Sequence, residues 1–356
     1  MKKILLLTNS KCGGAERVTI TYGKLLSAHG YDVTVLIYCG DEVNTSCEIK
    51  NFIPSYIKVY YVFGQYRFLL FKLRRYLKNT DFKIIFSSLP LLNYINIILS
   101  KFVFRNRVAV IRECNTPSRH PNRIRFFNKL LYKYADILIS QTDEMRNEMS
   151  ELYRISTANI ITVYNPIDVE QIECSIQEKI ELPTNYTKYV AIGRVQLQKD
   201  YATLLLSFSK LLTIQPNSLL YIVGDDKSNY ALKQKELVSE LGIGDKVVFA
   251  GFQSNPYKYL YEADCFVLSS IFEGLPNVLL EAIYLGIPVV ATASIPFIER
   301  TLNNEMYGRC VPVGNVDLLA QAMIDIAKRS KYIGCNITKD SFISFLNSLD
   351  LTVSRT

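Results

Sequence analysis

The sequence has no tryptophan, only two histidines and no Cys-x-x-Cys pair. Its eight cysteines are scattered, and His29 and His120 are the only imidazoles that could join them in a metal site. Because structural zinc sites need closely spaced cysteine and histidine ligands, the sequence predicts neither a zinc site nor a dithiol redox motif. We therefore expect reduced cysteines, as in a cytoplasmic protein.

Long hydrophobic runs are also missing. The apolar run that begins after Lys3 ends at Thr8, which is too short for a signal-peptide core and is typical of a first β-strand. Residues 84–100 carry no charge, but Pro90 and two asparagines interrupt them. This segment predicts a buried strand followed by a helix rather than a membrane span.

Charge is distributed unevenly along the 356 residues. Up to Asn165 there are 24 Lys and Arg against 12 Asp and Glu, a net charge of +12, and the rest of the chain carries 17 against 21, a net charge of −4. The basic excess indicates a phosphate-rich or anionic-membrane partner for the first part, or a solubilising surface. A chain of this length suits two domains.

Short runs rich in β-branched residues alternate with helical stretches through most of the chain. Seven come before Asn165, namely KILLLT, DVTVLIY, KVYYV, KIIFSS, VAVIREC, ADILISQ and IITVYN. Six follow, namely KYVAIG, SLLYIVG, KVVFAGF, CFVLSS, IPVVAT and GRCVPV. This alternation predicts two α/β domains with parallel sheets, 1–168 and 169–330. Residues 331–356 form a tail or cross back onto the first domain.

Two cations follow the first strand of the second half. Arg194 and Lys199 lie in a short loop that begins at Gly193 and precedes a helical stretch. Ligands of open parallel sheets bind where loops leave the carboxyl ends of strands. A forked guanidinium and a flexible ammonium there could neutralise a diphosphate. The alternative is a pair of solvated loop cations.

Two carboxylates lie in FEGLPNVLLEA, after the strand CFVLSS. Gly274 and Pro276 predict a tight turn at a helix start, with Glu273 in the loop and Glu281 inside the helix. Carboxylates accept hydrogen bonds from vicinal hydroxyls, so the pair suits a ribose and a hexose. Glu281 alone is equally consistent with ordinary helix surface.

The paired glycines Gly13 and Gly14 follow the first strand, where backbone amides at a helix start can approach a phosphate. Their spacing matches neither GxGxxG nor GxxxxGK[ST], which argues against nicotinamide and ATP chemistry. A plain turn explains the pair equally well.

Together, GGAERV, the GR…K loop and FEGLPNVLLEA resemble the large family of retaining glycosyltransferases with the GT-B fold, conventionally numbered four. The resemblance spans nearly the whole chain. It implies two Rossmann-like, doubly wound domains that face each other across a cleft, with the acceptor bound by the N-terminal domain and a nucleoside-diphosphate sugar by the C-terminal domain.

The resemblance also implies a role for individual residues. Arg194 and Lys199 would bind the donor diphosphate and, with Glu273, form the catalytic set. Glu281 would bind the ribose. Phe252 would lie at the nucleobase, although core packing of this ring is equally plausible, and UDP-sugars are favoured over GDP-sugars. The implied donor-binding residues are Gly13, Gly14, Arg194, Lys199, Phe252, Gln253, Glu273, Gly274, Leu275, Pro276, Asn277 and Glu281.

The sequence departs from many family members in the loop that begins at Arg112, where a histidine is common. Here the loop has the form E-x-N, which leaves the roles of Glu113, Cys114, Asn115 and His120 open. The resemblance implies that the leaving diphosphate itself receives the acceptor proton. No D-x-D is present, and the two cations can supply the charge of a metal, so we expect no metal and no cofactor besides the donor.

Two stretches of the first half, 66–78 and 119–134, combine aromatic and basic residues. They predict helices that lie on an anionic membrane or cover their own core with cations outward.

The expected function is transfer of a hexose or N-acetylhexosamine to a saccharide acceptor that is linked to a lipid diphosphate. We expect this reaction in the assembly of bacterial O-antigen or capsule, by a cytoplasmic protein peripheral to the membrane. The alternatives are an epimerase, a phosphorylase or a non-catalytic binding protein; the acidic pair argues against nucleic acid as a partner.

Overall fold

The computed structural model describes residues 2–11, 13–40, 47–303 and 306–354; Cys12 of the glycine-pair motif lies outside them. The chain divides into two compact units. The first comprises Met1–Ile167 and Thr338–Thr356, and the second comprises Asp168–Ile337.

The described ranges contain thirteen strands, one at each run predicted above. They are β1 (Lys3–Asn9), β2 (Asp32–Gly40), β3 (Lys58–Phe63), β4 (Ile84–Ser87), β5 (Val108–Arg112), β6 (Ile137–Ser140), β7 (Ile160–Thr162), β8 (Thr187–Ile192), β9 (Ser218–Val223), β10 (Val247–Gly251), β11 (Cys265–Leu268), β12 (Val289–Thr292) and β13 (Gly308–Val311).

Helices connect most successive strands. They are α1 (Gly14–Ala28), α2 (Tyr66–Lys78), α3 (Pro90–Ile97), α4 (Asn122–Leu131), α5 (Asp143–Tyr153), α6 (Val169–Ser175), α7 (Tyr201–Leu212), α8 (Asn229–Glu240), α9 (Tyr257–Glu262), α10 (Asn277–Tyr284), α11 (Pro296–Leu302), α12 (Val316–Ile326) and α13 (Lys339–Ser354). A π-helix, Ile98–Val103, extends α3.

Both sheets are parallel throughout the described strands. The first unit has the order β3-β2-β1-β4-β5-β6-β7, and the second has β10-β9-β8-β11-β12-β13. In each sheet the order reverses beside the first strand, β1 or β8, which is the position where open α/β sheets bind ligands. The loops after β1, β4, β8 and β11 therefore meet at these two positions.

The core of the first unit includes the C-terminal helix α13. The ring of Tyr22 on α1 packs edge-on against Phe345 at 5.6 Å and lies 4.9 Å from Phe86 of β4. Phe342 and Leu349 of α13 are also buried in this cluster. Helix α13 is thus part of the first unit's hydrophobic core.

The domain boundaries differ slightly from the predicted ones. Asp168 belongs to the second unit, and so do residues 331–337, which the prediction placed in the tail. The backbone N–H of Tyr332 donates to the Gly286 carbonyl at 3.1 Å. Gly334 lies so close to Tyr284 that a Cβ would come within 1.8 Å of its carbonyl oxygen. These contacts attach the segment to the second unit.

The uncharged stretch from Ile84 forms β4 and α3, as predicted. Across the described ranges, no helix combines the length and the apolar character needed to span a membrane. The seven cysteines that the structure describes form no disulfide with one another.

Candidate functional site

A tight loop follows β8 at the carboxyl edge of the second sheet. Gly193 lies beside Gly224, which follows β9 with a φ of +156°, and a Cβ on Gly224 would lie 2.1 Å from the Gly193 carbonyl oxygen. This close approach requires glycine at position 224. Asp200, at a φ of +47°, ends the loop and caps α7 by accepting from the Thr203 N–H at 3.3 Å.

The centre of the site is the carboxylate of Glu273. Its Oε1 accepts from Lys199 Nζ at 2.6 Å and from Ser270 Oγ at 2.6 Å, and its Oε2 accepts from Gln198 Nε2 at 3.3 Å. Glu273 is buried, and Lys199 is mostly buried. The structure therefore brings two of the three predicted catalytic residues into direct contact.

The third predicted catalytic residue, Arg194, is exposed. It makes no ion pair with any residue in the parts of the chain that the structure describes. The Lys199 side chain runs along Gly193, where an added Cβ would meet its Cε at 3.0 Å. One loop thus carries a paired cation and an exposed cation, which together can contact an anionic ligand.

A buried tyrosine stabilises this loop. Tyr201 donates its hydroxyl proton to the Gly193 carbonyl at 2.9 Å. Burial, followed by the negative charge of Glu273, raises the pKa of Tyr201 well above its ordinary value. The hydroxyl therefore stays protonated and acts as a donor at physiological pH.

The chain bends at Gly274 before α10, where the sequence predicted a tight turn. Leu275 and Pro276 are buried and Gly274 is half-buried, while Asn277 begins the helix. Glu281 lies one turn into α10 and accepts from the hydroxyl of the buried Tyr257 at 3.2 Å. This half-buried, hydrogen-bonded carboxylate differs from the ordinary exposed helix surface considered above.

The ring of Phe252, just after β10, is 68% exposed. Core packing, the alternative raised for this residue, is therefore wrong. Its neighbour Gln253 donates to the Ala250 carbonyl at 2.7 Å, which fixes the turn that presents the ring.

In the first unit, Gly13 precedes α1 and Gly14 is its first residue. The carboxylate of the buried Glu16 lies against Gly13, where an added Cβ would come within 2.5 Å of Oε2. The negative charge of Glu16 also acts on Cys114, in the loop after β5. The glycine pair and the E-x-N loop therefore share the carboxyl edge of the first sheet.

The E-x-N loop is built on a buried anion, Glu113. Its Oε1 accepts from the N–H groups of Cys114 and Asn115 at 2.9 and 3.2 Å and from His120 Nε2 at 3.1 Å. Burial lowers the pKa of His120, but the hydrogen bond and charge of Glu113 outweigh it and leave the pKa raised. Burial raises the pKa of the Cys114 thiol to about 12, so Cys114 is a neutral thiol and not a thiolate nucleophile.

Sequence reasoning missed three contributors to the second unit's site. Gln198 and Ser270 contact Glu273, and Tyr257 contacts Glu281. Ser270 was predicted to end a strand, but β11 stops at Leu268. Ser270 could have been found from the two serines at the end of CFVLSS, because hydroxyl residues at the carboxyl end of a strand lie where ligands bind.

Comparison with known proteins supports this description. Residues 174–333 match the family described as glycosyl transferases group 1, and residues 12–171 match glycosyltransferase family 4. HepE of Anabaena, solved in complex with UDP, superimposes with a TM-score of 0.78 over 100% of both chains at 17% identity.

Two enzymes of Campylobacter jejuni are similar in sequence. One is the N-acetylgalactosamine-N,N'-diacetylbacillosaminyl-diphospho-undecaprenol 4-alpha-N-acetylgalactosaminyltransferase, 29% identical over 87% of this chain and 86% of the relative. The other is the GalNAc-alpha-(1->4)-GalNAc-alpha-(1->3)-diNAcBac-PP-undecaprenol alpha-1,4-N-acetyl-D-galactosaminyltransferase, 27% identical over 81% and 78%.

The two Rossmann-like units of this topology have the GT-B fold. The family matches and the named relatives make the chain a glycosyltransferase. The two matched families together cover most of the sequence. The chain belongs to the group 1/family 4 glycosyltransferases.

Proposed function

We propose that this enzyme transfers a hexose or N-acetylhexosamine from a UDP-sugar, with retention of configuration, to a saccharide linked to a lipid diphosphate. The observation that carries the donor assignment is the Lys199–Glu273–Ser270 cluster at the carboxyl edge of β8 and β11. It combines a cation for phosphate with a carboxylate for sugar hydroxyls.

Lys199 can contact Glu273 and a donor phosphate at the same time. An ammonium has three donors, so the hydrogen bond to Glu273 leaves donors for a phosphate oxygen. The exposed guanidinium of Arg194, in the same loop, can add a bidentate contact to the diphosphate. In the proposed reaction, these cations stabilise the charge that develops on the diphosphate as its bond to the sugar breaks.

The proposed proton balance needs no protein base. The C1–O bond to the diphosphate breaks and the acceptor oxygen bonds to C1 on the same face. The acceptor proton passes to the departing phosphate oxygen. The chain contributes positioning through Glu273 and electrostatic stabilisation through Arg194 and Lys199. We also propose that neither binding nor transfer requires a divalent metal.

The relatives support the acceptor and donor classes. Both Campylobacter enzymes carry diphospho-undecaprenol or PP-undecaprenol in their names, and HepE was solved with UDP. We therefore place the reaction in assembly of bacterial surface polysaccharide, with UDP preferred to GDP. The exposed Phe252 is the proposed platform for the uracil ring.

Membrane association is part of the proposal. On α2, Leu69, Leu73 and Leu77 are buried against the unit's own core, so the predicted core-covering role is fulfilled. Aromatic residues nevertheless face outward, with Phe71 of α2 and Phe126 of α4 each 63% exposed. Exposed aromatic rings among Lys and Arg suit the interface of an anionic bilayer on the cytoplasmic side.

The donor is tested by calorimetric and thermal-shift titration with UDP, GDP and their sugars, UDP-N-acetylgalactosamine first, with and without EDTA. We expect saturable UDP binding that EDTA does not weaken and that Arg194→Ala impairs. Transfer is then measured to N-acetylglucosaminyl-diphospho-undecaprenol, with the anomeric product assigned by NMR. No binding by any nucleotide would contradict the donor site, and sugar-nucleotide turnover without an acceptor would favour an epimerase.

Membrane binding is tested separately by co-sedimentation with phosphatidylglycerol vesicles at low salt. Phe71→Ser and Phe126→Ser should each weaken binding, whereas Leu232→Ser, at an exposed leucine of the second unit, should not. Equal binding of all four proteins, or no binding by the wild type, would refute the membrane proposal. Either result would leave the donor-site proposal unaffected.

A further inference from the structure

The carboxylate of Glu113 accepts more hydrogen bonds than a loop connection requires. It is 1% exposed, and besides the three donors on Oε1 it takes Asn128 Nδ2 at 3.3 Å and the Tyr132 hydroxyl at 3.4 Å on Oε2. A carboxylate can only accept, so Nε2 of His120 carries the hydrogen in their contact. Five donors offset much of the cost of burying one charge.

This arrangement fixes both ends of a short loop, 114–119. Glu113 precedes the loop, His120 follows it, and their side chains join across its base. A second contact anchors the later part of the loop, because the Ser118 N–H donates to Glu148 of α5 at 3.0 Å. The Asn115 side chain remains exposed, at the carboxyl end of β5.

A purely structural loop gains little from a buried ion pair, because apolar replacements of such pairs are often as stable. Fixing a loop in one conformation does matter where a ligand must be oriented. The loop also lies at the sheet edge that binds ligands in this class of fold, beside the glycine pair before α1.

We infer that Glu113 and His120 are positioning residues that fix this loop, and that Asn115 contacts the saccharide of the acceptor through its carboxamide. A carboxamide both donates and accepts, as recognition of a sugar hydroxyl requires. This inference rests on the proposed transfer to a lipid-linked saccharide. It assigns acceptor contacts to the one loop where the sequence departs from the common family pattern.

The kinetic test uses N-acetylglucosaminyl-diphospho-undecaprenol in detergent and the donor that the titration identifies. Asn115→Ala should raise the acceptor KM about tenfold, the effect of losing one or two hydrogen bonds, and leave the donor KM within about twofold. Glu113→Gln and His120→Ala should act in the same direction. His120→Gln, which keeps a donor without the charge, should recover part of the loss seen in His120→Ala.

The matched control is Asn159→Ala. Asn159 is an exposed asparagine of the same unit, just before β7 and therefore at the amino edge of the parallel sheet. Both KM values should stay at the wild-type level. An unchanged acceptor KM in Asn115→Ala, or equal changes in the two KM values, would overturn the inference.

Hydrogen exchange separates this inference from the proposed function. The same lipid-linked saccharide should slow amide exchange across 114–119 in the wild type and have less effect in Asn115→Ala. If the wild type transfers no sugar but the loop is protected, the proposed reaction fails and the acceptor contact stands. If the probe leaves exchange of the loop unchanged, the contact is refuted whatever the activity.

Discussion

Lys199 and Glu273 form an ion pair of 2.6 Å whose side chains are only 20% and 9% exposed. A second pair in the same unit, Lys210–Asp317, is equally short at 2.5 Å, but its side chains are 56% and 78% exposed. Solvent screens the second pair and not the first. The two pairs therefore make a matched comparison of a buried functional contact and a surface contact.

Lys199→Met should destabilise the second unit by about 2 kcal/mol, because it leaves the Glu273 charge buried without its cation. Glu273→Gln in the Lys199→Met background should recover most of the lost stability but no activity. Lys210→Met should cost no more than about 0.5 kcal/mol. Urea denaturation followed by circular dichroism measures all three, and equal costs for Lys199→Met and Lys210→Met would contradict the burial argument.

Glu273→Gln alone should reduce kcat by a factor of about 10² to 10³, the usual loss when one transition-state contact is removed. Affinity for UDP should change by less than about threefold, since UDP carries no transferred sugar. Steady-state transfer assays and calorimetry give the two values. A wild-type kcat would remove Glu273 from the catalytic set.

Arg194→Ala should leave the melting temperature unchanged, because the side chain is exposed and makes no ion pair within the described ranges. UDP affinity should fall about tenfold or more, as expected for lost hydrogen bonds between charged groups. Arg194→Lys should recover only part of the affinity, because an ammonium lacks the planar fork. Unaltered UDP binding in Arg194→Ala would place the diphosphate elsewhere.

Phe252→Ala tests whether the exposed ring stacks on the base. Stacking of a base on an aromatic ring contributes about 1–3 kcal/mol, so the Kd for UDP should rise by a factor of about 5 to 150. Val248→Ala, at a 40% exposed residue of the preceding strand β10, should leave the Kd unchanged. A drop in thermal stability without a change in Kd would indicate a structural role for Phe252.

The His120–Glu113 pair predicts a pH-dependent stability. The pKa of His120 is raised in the folded protein, so its stabilising charge is fully present below its ordinary value of 6.5 and is lost as pH rises through the raised value. Glu113 and Glu148 are the acidic groups that act on it. Thermal unfolding between about pH 5.5 and 9 should show the advantage of wild type over His120→Gln shrinking with pH. An advantage that grows with pH would contradict the ion pair.

The strands were the most predictable feature of this chain, because each reads as a short apolar run between polar turns. CFVLSS shows the limit, since β11 ends at Leu268 and Ser269 instead donates to the Lys199 carbonyl. That bond joins loops 70 residues apart, and no local pattern encodes it. In the same way, the alternation of aromatic and basic residues predicts an amphipathic helix at α2, but it does not predict that the ring of Phe71 is exposed to solvent.

The residue types of the donor site were readable from GR…K and E-x7-E, whereas their partners were not. The contact between Lys199 and Glu273 exists because β8 and β11 are neighbours in the sheet, a fact of topology rather than of spacing. The network around Glu113 is more local, since it gathers His120, Asn128 and Tyr132 from the segment that directly follows β5. It forms because this segment folds back against the end of the strand, which the spacing of its residues does not reveal.

Helix α13 has a consequence for how the protein is made. Phe342, Phe345 and Leu349 belong to the core built by β1 and α1, and Asp350 also accepts from Tyr31 at 2.7 Å. During translation the second unit is complete before these residues leave the ribosome, so the later half of the chain can fold first. The core of the first unit is completed only when α13 has been synthesised. A ribosome that stalls before residue 342 therefore leaves a nascent chain whose first unit exposes apolar surface to chaperones and proteases.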